Sequence, residues 1–156
     1  MLMASCTHAQ NLFVSEPYNN AIAEITPGGV QSTFASRLNN PWGLAFNRTD
    51  DLFEADGGSG GNIYEFTPGG VKSTFASGLQ TASGLAFNSA GDLFGGEDNG
   101  IIYEYTPGGV QSTFTFGLSL PINLAFQGET LPVPEPSACG LLAVGAAALF
   151  VRRRSW

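Results

Sequence analysis

The chain has 156 residues, enough for one domain of ordinary size, with 21 glycines, 12 phenylalanines and charge on only 12% of its positions. Its net charge of -7 is unevenly placed: up to residue 130 the bases are Arg37, Arg48 and Lys72 against a large excess of acids, whereas the tail holds Glu135 and three arginines. A body of that sign repels phosphate backbones and excludes nucleic acid as a partner.

Residues 1–10 form an N-terminal segment containing Thr7-His8-Ala9, which has the form of a signal-peptide cleavage ending. The apolar stretch that such a peptide needs is missing. The segment therefore reads as the remnant of a signal peptide that begins upstream of Met1. Cys6 and Cys139 both lie outside the repetitive body, and the single histidine is His8. The body thus has no disulfide scaffold and no metal-type cysteine pair, and a Ser-His-Asp triad is excluded. Neither a metal nor a cofactor is expected.

From residue 11 the sequence repeats. Thr-Pro-Gly-Gly-Val occurs at 26–30, 67–71 and 106–110; Ser-Thr-Phe opens at 32, 73 and 112. Gly-Leu-Ala-Phe-Asn stands at 43–47 and 84–88 and returns as Asn-Leu-Ala-Phe-Gln at 123–127. The units are 11–50, 51–91 and 92–130. Each contains four short runs rich in β-branched and aromatic residues, separated by Gly, Asn, Asp and Pro. Thr-Pro-Gly-Gly predicts either a type II turn or a hairpin with a glycine bulge. Four short strands per ~40 residues is the period of a β-propeller blade. The predicted fold is all-β.

Candidate chemistry in the body is sparse. Glu24, Glu65 and Glu104 recur at one place in each unit, and Glu54 and Glu97 approximately so. Such recurrence points to a shared fold role rather than to a catalytic group. Asp56–Asn62 is glycine-rich but lacks the spacing of a calcium loop. Glu97-Asp98-Asn99-Gly100 predicts a hairpin turn. On the inner strands, Asn47, Asn88 and Gln127 are the polar candidates to face a central channel. Their near identity suits a repeated binding surface better than an asymmetric pocket. The aromatics Trp42, Tyr64 and Tyr103 are candidates for sugar stacking, with blade packing favoured.

Trp42–Asn47, Asp51–Asp56 and Asn62–Phe66 together resemble an NHL-type propeller repeat. The resemblance implies that Gly-Leu-Ala-Phe-Asn is the innermost strand of a blade. The chain then begins with three outer strands and ends with an inner strand at Ile122–Phe126. Three arrangements follow: an open stack of three blades, a propeller completed by a second copy, or a body continued upstream. Propellers of this type include lactonases and lyases, which makes an exported enzyme of that kind the alternative to a non-catalytic binding protein.

Residues 131–136 form a linker, and 137–156 a C-terminal hydrophobic helix with a basic tail. Ala138–Val151 has no polar side chain beyond the Cys139 thiol, and as a helix it spans about 21 Å. That is short for a bilayer core of ~30 Å. Arg152, Arg153 and Arg154 act as a basic stop on the cytoplasmic side. The tail resembles a PEP-CTERM sorting signal. The motif residues are Val133, Pro134, Glu135 and Pro136, and Leu141, Leu142, Val144, Leu149, Phe150 and Val151 supply the membrane anchor. The resemblance implies a bacterial envelope protein processed by an exosortase. The tail holds it in the inner membrane until cleavage near the motif releases it to the cell surface or matrix. It also implies association with extracellular polysaccharide or other envelope proteins.

Overall fold

The computed structural model describes residues 10–127. The predicted tail elements, including Val133–Pro136, the apolar anchor from Leu141 to Val151 and the Arg152–Arg154 stop, lie outside the described residues, as do Cys6, His8 and Cys139. Among the described residues no helix is long and apolar enough to cross a membrane.

The described chain is all-β apart from one 3-10 turn, Pro17–Asn19. The strands are β1 (Leu12–Glu16), β2 (Ala21–Ile25), β3 (Gln31–Ser36), β4 (Pro41–Phe46), β5 (Leu52–Asp56), β6 (Asn62–Phe66), β7 (Lys72–Ala76), β8 (Ala82–Phe87), β9 (Leu93–Glu97), β10 (Ile102–Tyr105) and β11 (Gln111–Thr115). They form three antiparallel meanders, β1-β2-β3, β4-β5-β6-β7 and β8-β9-β10-β11. These are propeller-like blades. The sheets cut across the sequence units: β4 closes the first unit but leads the second sheet, and β8 stands likewise to the third.

One expectation is corrected here. The first sheet has three strands, as the three outer strands at the start of the chain imply, but residues 121–126, the third copy of the inner strand, form no strand. The reason is pairing. β4 takes its ladder from β5, and β8 from β9, whereas no described strand follows residues 121–126 to supply one.

The hairpin turns are nearly superposable. In each Thr-Pro-Gly-Gly, the second glycine carries the positive φ (Gly29 79°, Gly70 78°, Gly109 79°) and donates its N–H to the threonine carbonyl at 2.8 Å. A type II turn needs the positive φ one residue earlier, so the glycine-bulge alternative is the one realised. The threonine hydroxyl then accepts the N–H of the following valine at 3.2 Å in all three copies.

Blades pack through two apolar clusters. Ile22, Leu38, Leu52 and Phe66 join the first blade to the second, and Ala55, Ile63, Leu79, Leu93 and Tyr105 belong to the cluster that joins the second to the third. The inner strands meet where the blades converge. A Cβ on Gly43 would run into the Ser83 carbonyl, so β4 admits glycine alone at this point.

Candidate binding grooves between the blades

Between successive blades the same seven side chains line the same groove. Between the first and second blades they are Phe13, Glu24, Phe34, Phe46, Leu52, Thr67 and Pro68, enclosing about 490 Å³ together with Asn47 and Asp50. Between the second and third they are Phe53, Glu65, Phe75, Phe87, Leu93, Thr106 and Pro107, enclosing about 140 Å³. Every member of the second set is the repeat equivalent of one in the first.

Three phenylalanines, on β1, β3 and β4 or at their repeat equivalents, build each floor. Phe13 meets Phe34 and Phe46 edge-on at 5.0 and 5.1 Å between centroids. Phe53 meets Phe75 and Phe87 at 5.1 and 5.0 Å, and Phe94 meets Phe114 and Phe126 at 5.0 and 4.9 Å. Edge-to-face geometry favours such pairs beyond their burial. The glutamates are the cross-strand partners of the central rings: Glu24 of Phe13, Glu65 of Phe53, Glu104 of Phe94. They therefore stand at a shared register position, as their recurrence suggests. Asn11 Nδ2 donates to Glu24 at 2.6 Å.

The axial cleft is different in kind. About 330 Å³ is lined by Phe13, Val14, Ser15, Trp42, Gly43, Leu44, Leu85, Asn123 and Leu124, with no titratable side chain. Asn47 and Asn88, the polar candidates for this channel, are used elsewhere. Asn47 Oδ1 accepts the N–H of Thr49 and Asp51, and its Nδ2 donates to Asp51 at 2.9 Å. Asn88 closes the equivalent turn on Asp92. Gln127 is exposed at the end of the described chain. Trp42 lies over Gly57, Tyr64 carries Lys72 Nζ 4.0 Å from its ring centroid, and Tyr103 stacks obliquely on Tyr105.

Glu54 and Glu97 are not equivalents. Glu97 corresponds to Asp56, and both close the loop that precedes their sheet: Asp56 Oδ1 accepts the Asn39 N–H at 3.1 Å, and Glu97 Oε1 accepts the Gln80 N–H at 2.8 Å. Burial pushes the Asp56 carboxyl up, and the N–H groups of Gly58 and Asn39 pull it back. Glu97-Asp98-Asn99-Gly100 forms the expected hairpin, with Gly100 at φ 88° donating to the Glu97 carbonyl. Glu54 stands where the other copies have Val14 and Gly95. It is fully buried, and neither carboxylate oxygen has a hydrogen-bond partner. Burial, reinforced by Asp56 and opposed by Lys72, raises its pKa to about 8.

The comparisons with known proteins bear on both parts of the chain. Residues 132–154 match the PEP-CTERM protein-sorting motif. The described body is similar to the solved structure of a putative gluconolactonase (TM-score 0.56, 21% identity, 70% of this chain and 39% of that one). It is similar also to a catalytically inactive virginiamycin B lyase from Staphylococcus aureus with quinupristin (TM-score 0.66, 22% identity, 77% and 43%). A third likeness is to an auxiliary nutrient binding protein from Bacteroides thetaiotaomicron VPI-5482 (TM-score 0.61, 15% identity, 70% and 28%). The chain spans less than half the length of each, and at these identities the likeness carries the fold alone. No curated protein matches the chain in sequence. The fold and the tail together define a propeller-like body on a sorting signal. The chain carries the PEP-CTERM motif of an exported, envelope-associated bacterial protein, and that motif implies exosortase processing.

Proposed function

We propose that this is a non-catalytic envelope protein whose inter-blade grooves bind extracellular polysaccharide after the sorting tail has been removed. One observation carries the reading: seven equivalent side chains line two successive grooves. Equivalent side chains repeated from groove to groove suit a ligand that is itself a polymer of repeated units. Each groove offers an aromatic floor for sugar faces and a carboxylate beside it to accept hydroxyl hydrogen bonds. The axial cleft, where an enzyme of this architecture would place its acid or base, is lined by apolar and neutral groups. Anchorage of the unprocessed chain in the inner membrane and later display at the surface or in the matrix complete the proposal.

The test uses the full chain in detergent, run in native gels cast with the producing bacterium's own exopolysaccharide. Retardation is expected for the natural protein and loss of retardation for Phe46→Ala combined with Glu65→Gln. Phe46 is 45% exposed, so its truncation leaves the core intact. Unchanged mobility of the natural protein in the polysaccharide would overturn the reading. Binding to an envelope protein in its place would assign the grooves to a protein ligand.

A further inference from the structure

The two outer faces of the described body are open halves of a contact that it already makes twice. Among the described residues β1 pairs with β2 on one side and with no strand on the other, whereas its equivalents β5 and β9 each carry an inner strand. Leu12 is accordingly 60% exposed, against 1% for Leu52 and for Leu93 at the same repeat position. At the far face, Leu118 is 46% exposed, against 5% for Leu38 and 6% for Leu79. Phe34 packs on Phe66 and Phe75 on Tyr105 of the next blade, but Phe114 is 59% exposed.

What each face lacks, the other supplies. Residues 121–126, Pro-Ile-Asn-Leu-Ala-Phe, repeat the inner strands β4 and β8 and have no ladder. Residues 1–6, the span that the repeat spacing would put beside β1, read Met-Leu-Met-Ala-Ser-Cys and share none of the Gly-Leu-Ala-Phe pattern. We infer that residues 121–126 of one copy add to the free edge of β1 in a second copy. The register copies that of β4 on β5 and β8 on β9: Phe126 opposite Leu12, Ala125 opposite Phe13, Leu124 opposite Val14 and Pro121 opposite Glu16. Phe114 then packs against Ile25 of the second copy, the equivalent of Phe66 and Tyr105.

Such a contact is heterologous, and two copies related this way close a ring when the blade rotation allows it. Closure matters for binding, because the third groove is half built. It has its floor in Phe94, Phe114 and Phe126. Its far wall, supplied elsewhere by Leu52, Thr67 and Pro68, would come from Leu12, Thr26 and Pro27 of the second copy. Asn123 stands where Gly43 and Gly84 allow close approach of the next inner strand. The junction between copies is therefore wider than the contacts within a copy.

The test uses the full chain in detergent with Cys6 and Cys139 replaced by serine. One preparation carries Val14→Cys and the other Leu124→Cys. Cross-strand partners of an antiparallel ladder lie within disulfide reach. Mild oxidation of the mixture is expected to give a covalent dimer, and Val14→Cys with Ala125→Cys, one residue out of register, is expected to give none. Light scattering of the natural chain is expected to read two copies and of Leu118→Asp, altered at an exposed site, one copy. Asn123→Gly is expected to lower the dimer dissociation constant. A single-copy mass for the natural chain, equal cross-linking in the two registers, or an unchanged dissociation constant for Asn123→Gly would overturn the inference.

Discussion

Gly84 on β8 lies against Ile122 so closely that a Cβ would come within 2.5 Å of the Ile122 carbonyl oxygen. The obstacle is backbone, which cannot rotate aside. Ser83, its neighbour, donates its hydroxyl to the Pro121 carbonyl at 2.8 Å and fixes the same junction. Alanine at 84 is expected to lower the stability of the body by about 1–3 kcal/mol, as overpacking does. Alanine at Gly78, whose Cβ would meet nothing within 4 Å, tests the contrast. Gly78 has a φ of 80°, so the cost there is backbone strain alone, of roughly 1–2 kcal/mol. Urea unfolding of the two variants followed by circular dichroism reads both costs, and only Gly84→Ala is expected to displace the Ile122–Asn123 backbone.

Glu54 should make stability depend on pH in an unusual direction. Its pKa is about 8 in the fold against an ordinary value of 4.5. The folded state therefore binds the proton more tightly than the unfolded chain does. Below about pH 4.5 both states are protonated and the contribution to stability is complete; it declines as pH rises, until the folded carboxyl itself ionises near 8. At pH 7 the loss relative to acid conditions is on the order of 3 kcal/mol for this one group. Glu54→Gln is expected to remove that decline. Denaturant midpoints measured from pH 5 to 8 check it, and a slope unchanged by the substitution would remove Glu54 as its source.

Much of this fold is legible in the sequence, for identifiable reasons. Strand alternation and the Thr-Pro-Gly-Gly turn are local, so Asn62–Phe66 and Lys72–Ala76 are visible as a hairpin from the residue pattern alone. Pairing is not local. Phe46 and Leu52 are partners across a turn, yet Phe46 lies in one sequence unit and Leu52 in the next, so the sheets run out of phase with the repeats, which only the NHL resemblance implies in advance. The grooves are hidden for the same reason. Phe34, Phe46 and Phe13 come from three strands spread over two sheets, and no single sequence window contains them. The glutamates at 24, 65 and 104 announce a shared role, but only the ladder shows that each faces a central phenylalanine. Glu54 and Glu97 look alike on a count of positions; the register separates a stranded carboxyl from one that closes a loop.

Glu97 supplies a second carboxylate test. Its two oxygens accept the Gln80 N–H at 2.8 Å and the Asn99 amide at 2.7 Å, tying the loop before β8 to the β9–β10 hairpin. Alanine leaves the part-buried Gln80 N–H without that acceptor, at a cost of about 1–3 kcal/mol. The Glu97→Gln variant retains one acceptor and is expected to recover part of that loss. Hydrogen exchange at Gln80 reads the effect directly: protection should fall in the alanine variant well before global unfolding.

The sorting motif makes the remaining prediction, and it concerns the intact molecule. Residues 132–154 match the PEP-CTERM motif, with Pro134-Glu135-Pro136 preceding the apolar run and the three arginines closing it. Intact-mass spectrometry of the protein from its native cells, with and without the exosortase, is expected to show a loss of the residues that follow the motif only when the enzyme is present. Replacing Glu135 by glutamine removes the one charge within the motif and is expected to leave the unprocessed form in the membrane fraction. A mass that runs unbroken to Trp156 in both strains would make the tail a permanent anchor. The grooves would then be held at the bilayer instead of being released to meet a matrix polymer.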